Sequence, residues 1–278
     1  MLANSAATLP PGHVLAESYL YDQATGHSNG FGSLTYLLYG LADGFTVGLT
    51  PTAGFNQVRG GPSSSGVGLG DITLQTQYRL TRFDPAGWIP ATALSLQETL
   101  PTGRYDRLGD RPSNGLGAGA YTTTVGLYSQ TYLWMPNGRI LRLRLDATQA
   151  FSDRVNVEGV SVYGTGAGFH GHALPGDSSF VDGSVEYSLS RSWVLALDVT
   201  YRHNADTRVS GYDILGAIST PPPSVRQDSG SSDTLGFAPA IEYSWTPNLG
   251  ALIGARFIPA GHNTVASITP AVAINYVY

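Results

Sequence analysis

The chain carries ionisable residues in rows spaced two apart. Arg142, Arg144 and Asp146 alternate with Leu141, Leu143 and Leu145, and Asp198, Thr200 and Arg202 alternate with Leu197, Val199 and Tyr201. Asp71 and Arg79 bracket Thr73, Gln75 and Gln77 opposite Ile72, Leu74, Tyr78 and Leu80; Glu186 and Glu242 sit in the same kind of row, opposite Val185 and Tyr187 and opposite Ile241, Tyr243 and Trp245. Successive side chains of an extended strand point to opposite faces, so each row makes one polar face backed by one apolar face. Rows of mixed sign suit two jobs: lining a water-filled path, or pairing arginine with carboxylate to tie together the wall of a narrow barrel.

Other chemistries fare less well. His27-Ser28-Asn29 has the residue types of a membrane-embedded serine hydrolase, but neighbours on an extended chain point apart where a triad must converge. His170 and His172 put two imidazoles on one side of an extended segment without a third ligand, and closed metal sites want three or four. The glycine runs Gly115, Gly117, Gly119 and Gly164, Gly166, Gly168 resemble phosphate cradles, yet neither lies between a strand and a helix. Alternate glycines on a strand face make room for bulky neighbours instead. No enzyme, cofactor or metal is expected.

Composition narrows the class of molecule. Of 278 residues only 13 % are charged, against about 25 % in an ordinary soluble domain. There are 35 Gly and 16 Tyr, 42 % of residues are hydrophobic, and mean hydropathy is −0.04. This is neither a disordered chain nor a helical membrane protein, since no apolar run approaches about 18 residues. The absence of Cys excludes disulfide scaffolds, thiolate metal sites and cysteine nucleophiles, and a net charge of −5 argues against nucleic acid as a partner. Low charge, abundant Gly and Tyr, and neutral hydropathy fit an outer-membrane β-barrel, whose two strand faces average out.

The elements that position the rows follow from period and punctuation. Helical signals are almost absent, and alternation bounded by Gly, Pro, Asn and Asp predicts about twelve strands: 13–22, 32–42, 44–56, 66–80, 88–101, 115–133, 139–151, 178–190, 192–204, 231–245, 248–259 and 265–278. Most reach ten residues, enough for a tilted strand to cross the hydrocarbon and longer than the usual soluble strand of about 5–6. Connections alternate between short (42–44, 82–87, 136–138, 190–192, 246–248) and long (23–31, 57–65, 102–114, 152–177, 204–230, with 260–264 the shortest). Short periplasmic turns and long extracellular loops are the asymmetry of transmembrane barrels, which a sandwich has no reason to show. The Ser-, Pro- and Gly-rich stretch 211–233, with Pro221-Pro222-Pro223, reads as an extracellular loop, mobile or folded inward.

Trp88, Trp134, Trp193 and Trp245 each adjoin a short turn, which predicts a belt at one rim where indole meets the headgroup region. The chain closes on Ile268, Pro270, Val272, Ile274, Tyr276 and Tyr278, an outward face ending in an aromatic residue like the assembly signal of bacterial outer-membrane proteins. Residues 1–11 lack the basic region and apolar core of a secretory signal, which reads as a mature chain whose leader has been removed.

Three stretches carry a family resemblance: Gly68-Leu69-Gly70-Asp71-Ile72 leading to Tyr78-Arg79-Leu80; Leu100-Pro101-Thr102-Gly103 followed by Gly115-Leu116-Gly117; and Tyr187-Ser188-Leu189 through Trp193 and Tyr201. Here the chain resembles the outer-membrane family associated with the meta-pathway of phenol degradation, over most of residues 66–278. The resemblance implies a β-barrel passing small, aromatic or hydrophobic compounds, and it supplies no catalytic residues.

The expectation is an all-β antiparallel transmembrane barrel of about twelve strands over residues 13–278, in a bacterial outer membrane. Residues 1–12 form either a periplasmic segment or a plug. Asp71, Arg79, Arg142, Arg144, Asp146, Glu186, Asp198, Arg202 and Glu242 are expected to line the lumen, because arginine at the bilayer midplane costs about 2–4 kcal/mol. The expected partners are the lipid bilayer and a small-molecule solute. A lipid-acting hydrolase and a non-conducting structural barrel whose loops bind partners stand as alternatives.

Overall fold

The computed structural model describes residues 4–86, 88–215, 222–259 and 261–278. Its strands are β1 (Val14–Thr25), β2 (Ser28–Ala42), β3 (Phe45–Thr50), β4 (Thr52–Val58), β5 (Gly68–Leu69), β6 (Ile72–Thr81), β7 (Ala91–Leu100), β8 (Thr122–Trp134), β9 (Ile140–Ser152), β10 (Val155–Glu158), β11 (Phe169–Leu174), β12 (Ser178–Ser188), β13 (Trp193–Asn204), β14 (Arg208–Asp213), β15 (Ser224–Asp228), β16 (Ser232–Thr246), β17 (Leu249–Ile258) and β18 (Ser267–Val277). Among the described residues the one helical element is a 3-10 turn at Pro112–Asn114.

One sheet runs in the order β1-β18-β17-β16-β13-β12-β9-β8-β7-β6-β3-β2, and β1 pairs back onto β2, which closes it. Two staves are interrupted: β4 continues β3 past Pro51 and stays on β2, and β5 leads into β6 across Gly70 and Asp71. The result is a closed antiparallel barrel of twelve staves, all paired to antiparallel neighbours. Closure leaves no free sheet edge and pairs the backbone along nearly all of the wall, which is what allows strands to stand in lipid.

The period-two reading sets the two faces. Leu94, Leu96, Leu127, Leu145, Leu195, Leu197, Ile253 and Ile274 are exposed on the outside, far more apolar surface than a water-soluble exterior shows. Their alternating partners Ser95, Tyr128, Arg144, Asp146, Ala196, Asp198 and Leu252 are buried inside. Leu145 stands between Arg144 and Asp146 and is 56 % exposed to the lipid side. Leu145→Arg is therefore expected to lower the unfolding free energy in lipid vesicles by about 2–4 kcal/mol. A urea titration showing no change would place Leu145 away from the hydrocarbon.

All four tryptophans lie at the short-turn end and are exposed there: Trp88 in the turn before β7, Trp134 ending β8, Trp193 opening β13 and Trp245 ending β16. Tyr243 joins them, its ring 4.6 Å from that of Trp193 and 5.3 Å from that of Trp245.

Three sequence expectations need correction. Stretch 23–31 is not a long loop, because the β1–β2 ladder runs to Ala24 opposite Asn29 and turns tightly at Gly26 and His27. Thr25 Oγ1 accepts the Ser28 N–H at 3.0 Å and holds that turn. Strand 115–133 begins only at Thr122; Gly115, Gly117 and Gly119 belong to a loop, and Gly164, Gly166 and Gly168 likewise lie outside any strand. Loops 152–177 and 204–230 are not structureless: β10, β11, β14 and β15 form a separate antiparallel sheet above the barrel. Val155, Val157, Phe169, Ala173 and Val209 fill its underside with Ala120, so its short strands are paired and buried on one face. The expected loop 211–233 is accordingly a hairpin of β14 and β15 where it is described; its Pro221 falls outside the described residues, as do Met1 of the N-terminal segment and parts of the turns at 82–87 and 260–264.

Candidate functional site

The inner faces of β9, β12 and β13 lie side by side, and their register brings the charged rows together. Arg142 stands opposite Glu186, Arg144 opposite Ser184 and then Asp198, and Asp146 opposite Asp182. The Glu186 carboxylate bridges both arginines: Arg144 Nη2 reaches Oε1, and Arg142 Nη1 lies 3.3 Å from Oε2. The Arg144 and Glu186 side chains are 5 % and 8 % exposed, so this is a desolvated pair rather than a surface one. Asp182 and Asp198 are fully buried beside them. Glu242, on β16, faces the same cavity of about 360 Å³ as Arg142 and Arg144.

Across that cavity the wall is different in kind, with Glu17, Tyr19 and Tyr36 facing in from β1 and β2. Tyr19 donates to Glu17 at 3.0 Å and meets Tyr36 edge-on at 6.2 Å. Tyr19 also lines a second, more apolar cavity of about 270 Å³ with Tyr21, Leu34, Ala238, Ala240 and Leu252. Pro239 and Ala255, which point outward, line it too. Between Phe237 opposite Phe257 and Ala240 opposite Gly254 the β16–β17 ladder is unpaired, and Pro239 has no N–H to offer there. The ladder is open at this point.

Residues 4–12 run inside the barrel at the short-turn end. Asn4 N donates to Asp146, Ala6 N and Ser5 Oγ donate to Gln130 Oε1 at 3.1 and 3.2 Å, and Leu9 N donates to Thr46 Oγ1 at 2.9 Å. Gln77 Nε2 reaches Ser5 O at 2.9 Å, Arg142 Nη2 reaches Ser5 Oγ at 3.1 Å, and Arg79 Nη1 reaches Thr8 Oγ1 at 3.2 Å. Ala6 is fully buried against Ala91, Ala93 and Tyr128. Gly40 is glycine for a stated reason: a Cβ there would lie 2.0 Å from Pro10 O.

The nine residues singled out by their spacing thus fall into distinct places. Arg142, Arg144, Asp146, Glu186, Asp198 and Glu242 share one inner region. Arg79 sits at the rim, where it bonds Asp43 at 2.8 Å. The Arg79 hydrogen bond, with Arg82 adding its charge, holds the Asp43 carboxyl below the usual carboxylate range. Arg202 is farther toward the long-loop end, over the Phe180 ring at 4.6 Å and bonded to Ser178 Oγ at 3.1 Å. Asp71 departs from the expected role: its two oxygens accept the Gly103 and Ala118 N–H groups at 2.8 and 2.7 Å. It braces the 102–118 loop over the mouth, because β5 and β6 break at Gly70 and Asp71 and leave that carboxylate next to loop backbone. Gly103 and Gly117 pass so closely that a Cβ on Gly103 would lie 2.8 Å from Gly117 Cα.

Spacing missed Asp182, Glu17 and Gln130, although all three obey the same alternation. The hydrolase alternative finds no converging groups: Ser28 Oγ lies 3.1 Å from Thr25 Oγ1, and Asn29 donates to Asp22. His172 Nε2 contacts Arg154 and Ser210 while His170 stacks on Tyr212, and no group of three metal-ligating side chains occurs among the described residues.

Comparison with known proteins agrees with this architecture. In fold the chain is similar to the COG4313 outer membrane channel from Pseudomonas putida F1, at 16 % identity and a TM-score of 0.70, with 100 % of each chain covered. It is also similar to the NanC porin, at 9 % identity and a TM-score of 0.52, covering 94 % of this chain and 98 % of the porin. No curated protein matches. The model of the family described as "Putative MetA-pathway of phenol degradation" matches residues 2–264, so the chain belongs to that family of outer-membrane β-barrels.

Proposed function

We propose that the barrel is an outer-membrane channel for small molecules, aromatic or hydrophobic compounds among them, and that residues 4–12 occlude its axial bore from the periplasmic end. The observation that carries this reading is the two-walled lumen. An arginine–carboxylate wall on β9, β12 and β13 faces a tyrosine-bearing wall on β1 and β2, and Tyr19 lines both of the cavities between them. Such a lumen offers an amphipathic path in which rings slide along the Tyr face while the charged rows repel solutes of the wrong kind. No catalysis is assigned to it. The family's phenol-degradation description supports that class of cargo, and the likeness to an outer membrane channel from Pseudomonas putida supports a channel.

The unpaired β16–β17 stretch favours a second route for apolar solutes, sideways through the wall at Pro239 and Ala255. Initial uptake of labelled toluene and phenol by porin-poor Gram-negative cells tests the reading. Expression of the chain without residues 1–12 is expected to raise the rates severalfold over both empty vector and the intact chain, whose axial bore stays occluded. Equal rates at verified outer-membrane expression would contradict it.

A further inference from the structure

The sheet of β10, β11, β14 and β15 turns one face toward the barrel and the other away from it. The outward face holds a pocket of about 330 Å³ into which three arginines converge, Arg154, Arg208 and Arg226, beside His172 and Ser210. This concentration of positive charge stands out in a chain with a net charge of −5 and no lysine. The pair register explains it: His172 stands opposite Ser210, Ser210 opposite Arg226, and Leu174 opposite Arg208, all on one face.

Carboxylates do little to neutralise the cluster. Among the described residues neither Arg154 nor Arg226 has a carboxylate within salt-bridge reach, and Arg208 Nε comes only to 3.9 Å of Asp206. Asp228 lies opposite Arg208 in the ladder without closing an ion pair. Arg154 Nη2 and Ser210 Oγ lie 2.5 and 2.7 Å from His172 Nε2. A guanidinium can only donate, so Nε2 accepts and the ring is neutral with its proton on Nδ1. Burial, with the Arg154 charge adding to it, lowers the His172 pKa in keeping with that form. The imidazole therefore fixes Arg154 while leaving its charge uncompensated. Leu174, 43 % exposed, adds apolar surface to the lining.

We propose that this pocket binds a small anion that carries a carboxylate on an apolar body. Guanidinium forks match a carboxylate in bidentate geometry, and the cluster, with Arg154 and Arg226 lacking a carboxylate partner among the described residues and Arg208 held only at 3.9 Å by Asp206, is self-repelling until an anion arrives. Leu174 gives the body of such a ligand a surface that a bare inorganic ion does not use. The site lies outside the lumen, so its occupancy is read without any conductance.

Isothermal titration of the full chain, refolded in detergent and free of phosphate, provides the test. The ligands are benzoate, its neutral counterpart benzyl alcohol, and inorganic phosphate, each against the unaltered chain and the triple variant R154Q/R208Q/R226Q. Heat-modifiable gel migration checks that the variant barrel is folded. Saturable benzoate binding is expected, with benzyl alcohol and the triple variant each weaker by roughly tenfold or more. Benzoate binding that is absent, or undiminished in the folded variant, overturns the proposal. Phosphate binding more tightly than benzoate also overturns it, in favour of a phosphate-bearing ligand.

Discussion

Arg144→Ala is expected to destabilise the barrel by about 3–5 kcal/mol, the cost of removing one partner of a buried ion pair. Two features put Arg144 in that range. Its side chain and that of Glu186 are almost fully desolvated, so neither screening nor water replaces what is lost. Its neighbourhood is acidic, with Asp146 and Asp182 on adjoining staves and Asp198 opposite Ser184 in the same register row. Both Asp182 oxygens lack a hydrogen-bond partner among the described residues, which leaves Arg144 as a main source of compensating charge. Equilibrium unfolding in urea from lipid vesicles measures the loss. A double-mutant cycle with Glu186→Gln is expected to recover part of it, because the orphaned carboxylate is then removed. A loss below about 1 kcal/mol is the value of an exposed pair and would show that water reaches this wall freely.

The second large effect concerns residues 4–12. Gln130 Oε1 accepts from Ala6 N, Ser5 Oγ and Arg142 Nη2 together, so Gln130→Ala removes the segment's central anchor on β8. At about 1 kcal/mol for each hydrogen bond to the segment, with the freed Arg142 contributing more, the docked state loses about 2–3 kcal/mol. That shifts the ratio of docked to withdrawn segment by roughly 30- to 150-fold. Gly40→Ala reaches the same end by another route, since its Cβ overlaps Pro10 O. The chain has no cysteine, so Ala6→Cys, at the fully buried position of the segment, gives a single site for maleimide labelling in the folded barrel. Labelling is expected to be slow in that background and to accelerate in proportion once Gln130 or Gly40 is changed. Unchanged rates in both variants would mean that the lumen does not hold the segment.

Most of the barrel was legible because its physics is local. A strand with one face in lipid and one in a polar lumen must alternate, and Arg142-Leu143-Arg144-Leu145-Asp146 does so without exception. The same rule extends to Asp182 and to Glu17, but Asp182 is followed by Gly183, which blurs its row, and Glu17 lies among small and aromatic residues that read equally well outward. The extracellular sheet was illegible because strands as short as Val155–Glu158 and Phe169–Leu174, between glycine-rich turns, cannot be told from loop until the partner strand supplies the other half of the ladder. Thr25 tightening the first extracellular turn is a single side-chain hydrogen bond that composition does not announce. Residues 4–12 are the extreme case. Asn4, Ser5, Ala6 and Thr8 have no period at all, and their place in the lumen depends on Gln130, Asp146, Thr46 and Gln77, which come from four different staves.

Single-channel conductance of the refolded chain in a planar bilayer, with and without residues 1–12, tests the central claim most directly. An occluded channel predicts a quiet full-length protein and discrete, ion-sized steps once the segment is removed. Silence in both forms, with folding verified, would contradict an axial channel and mark the lumen as sealed by its own side chains.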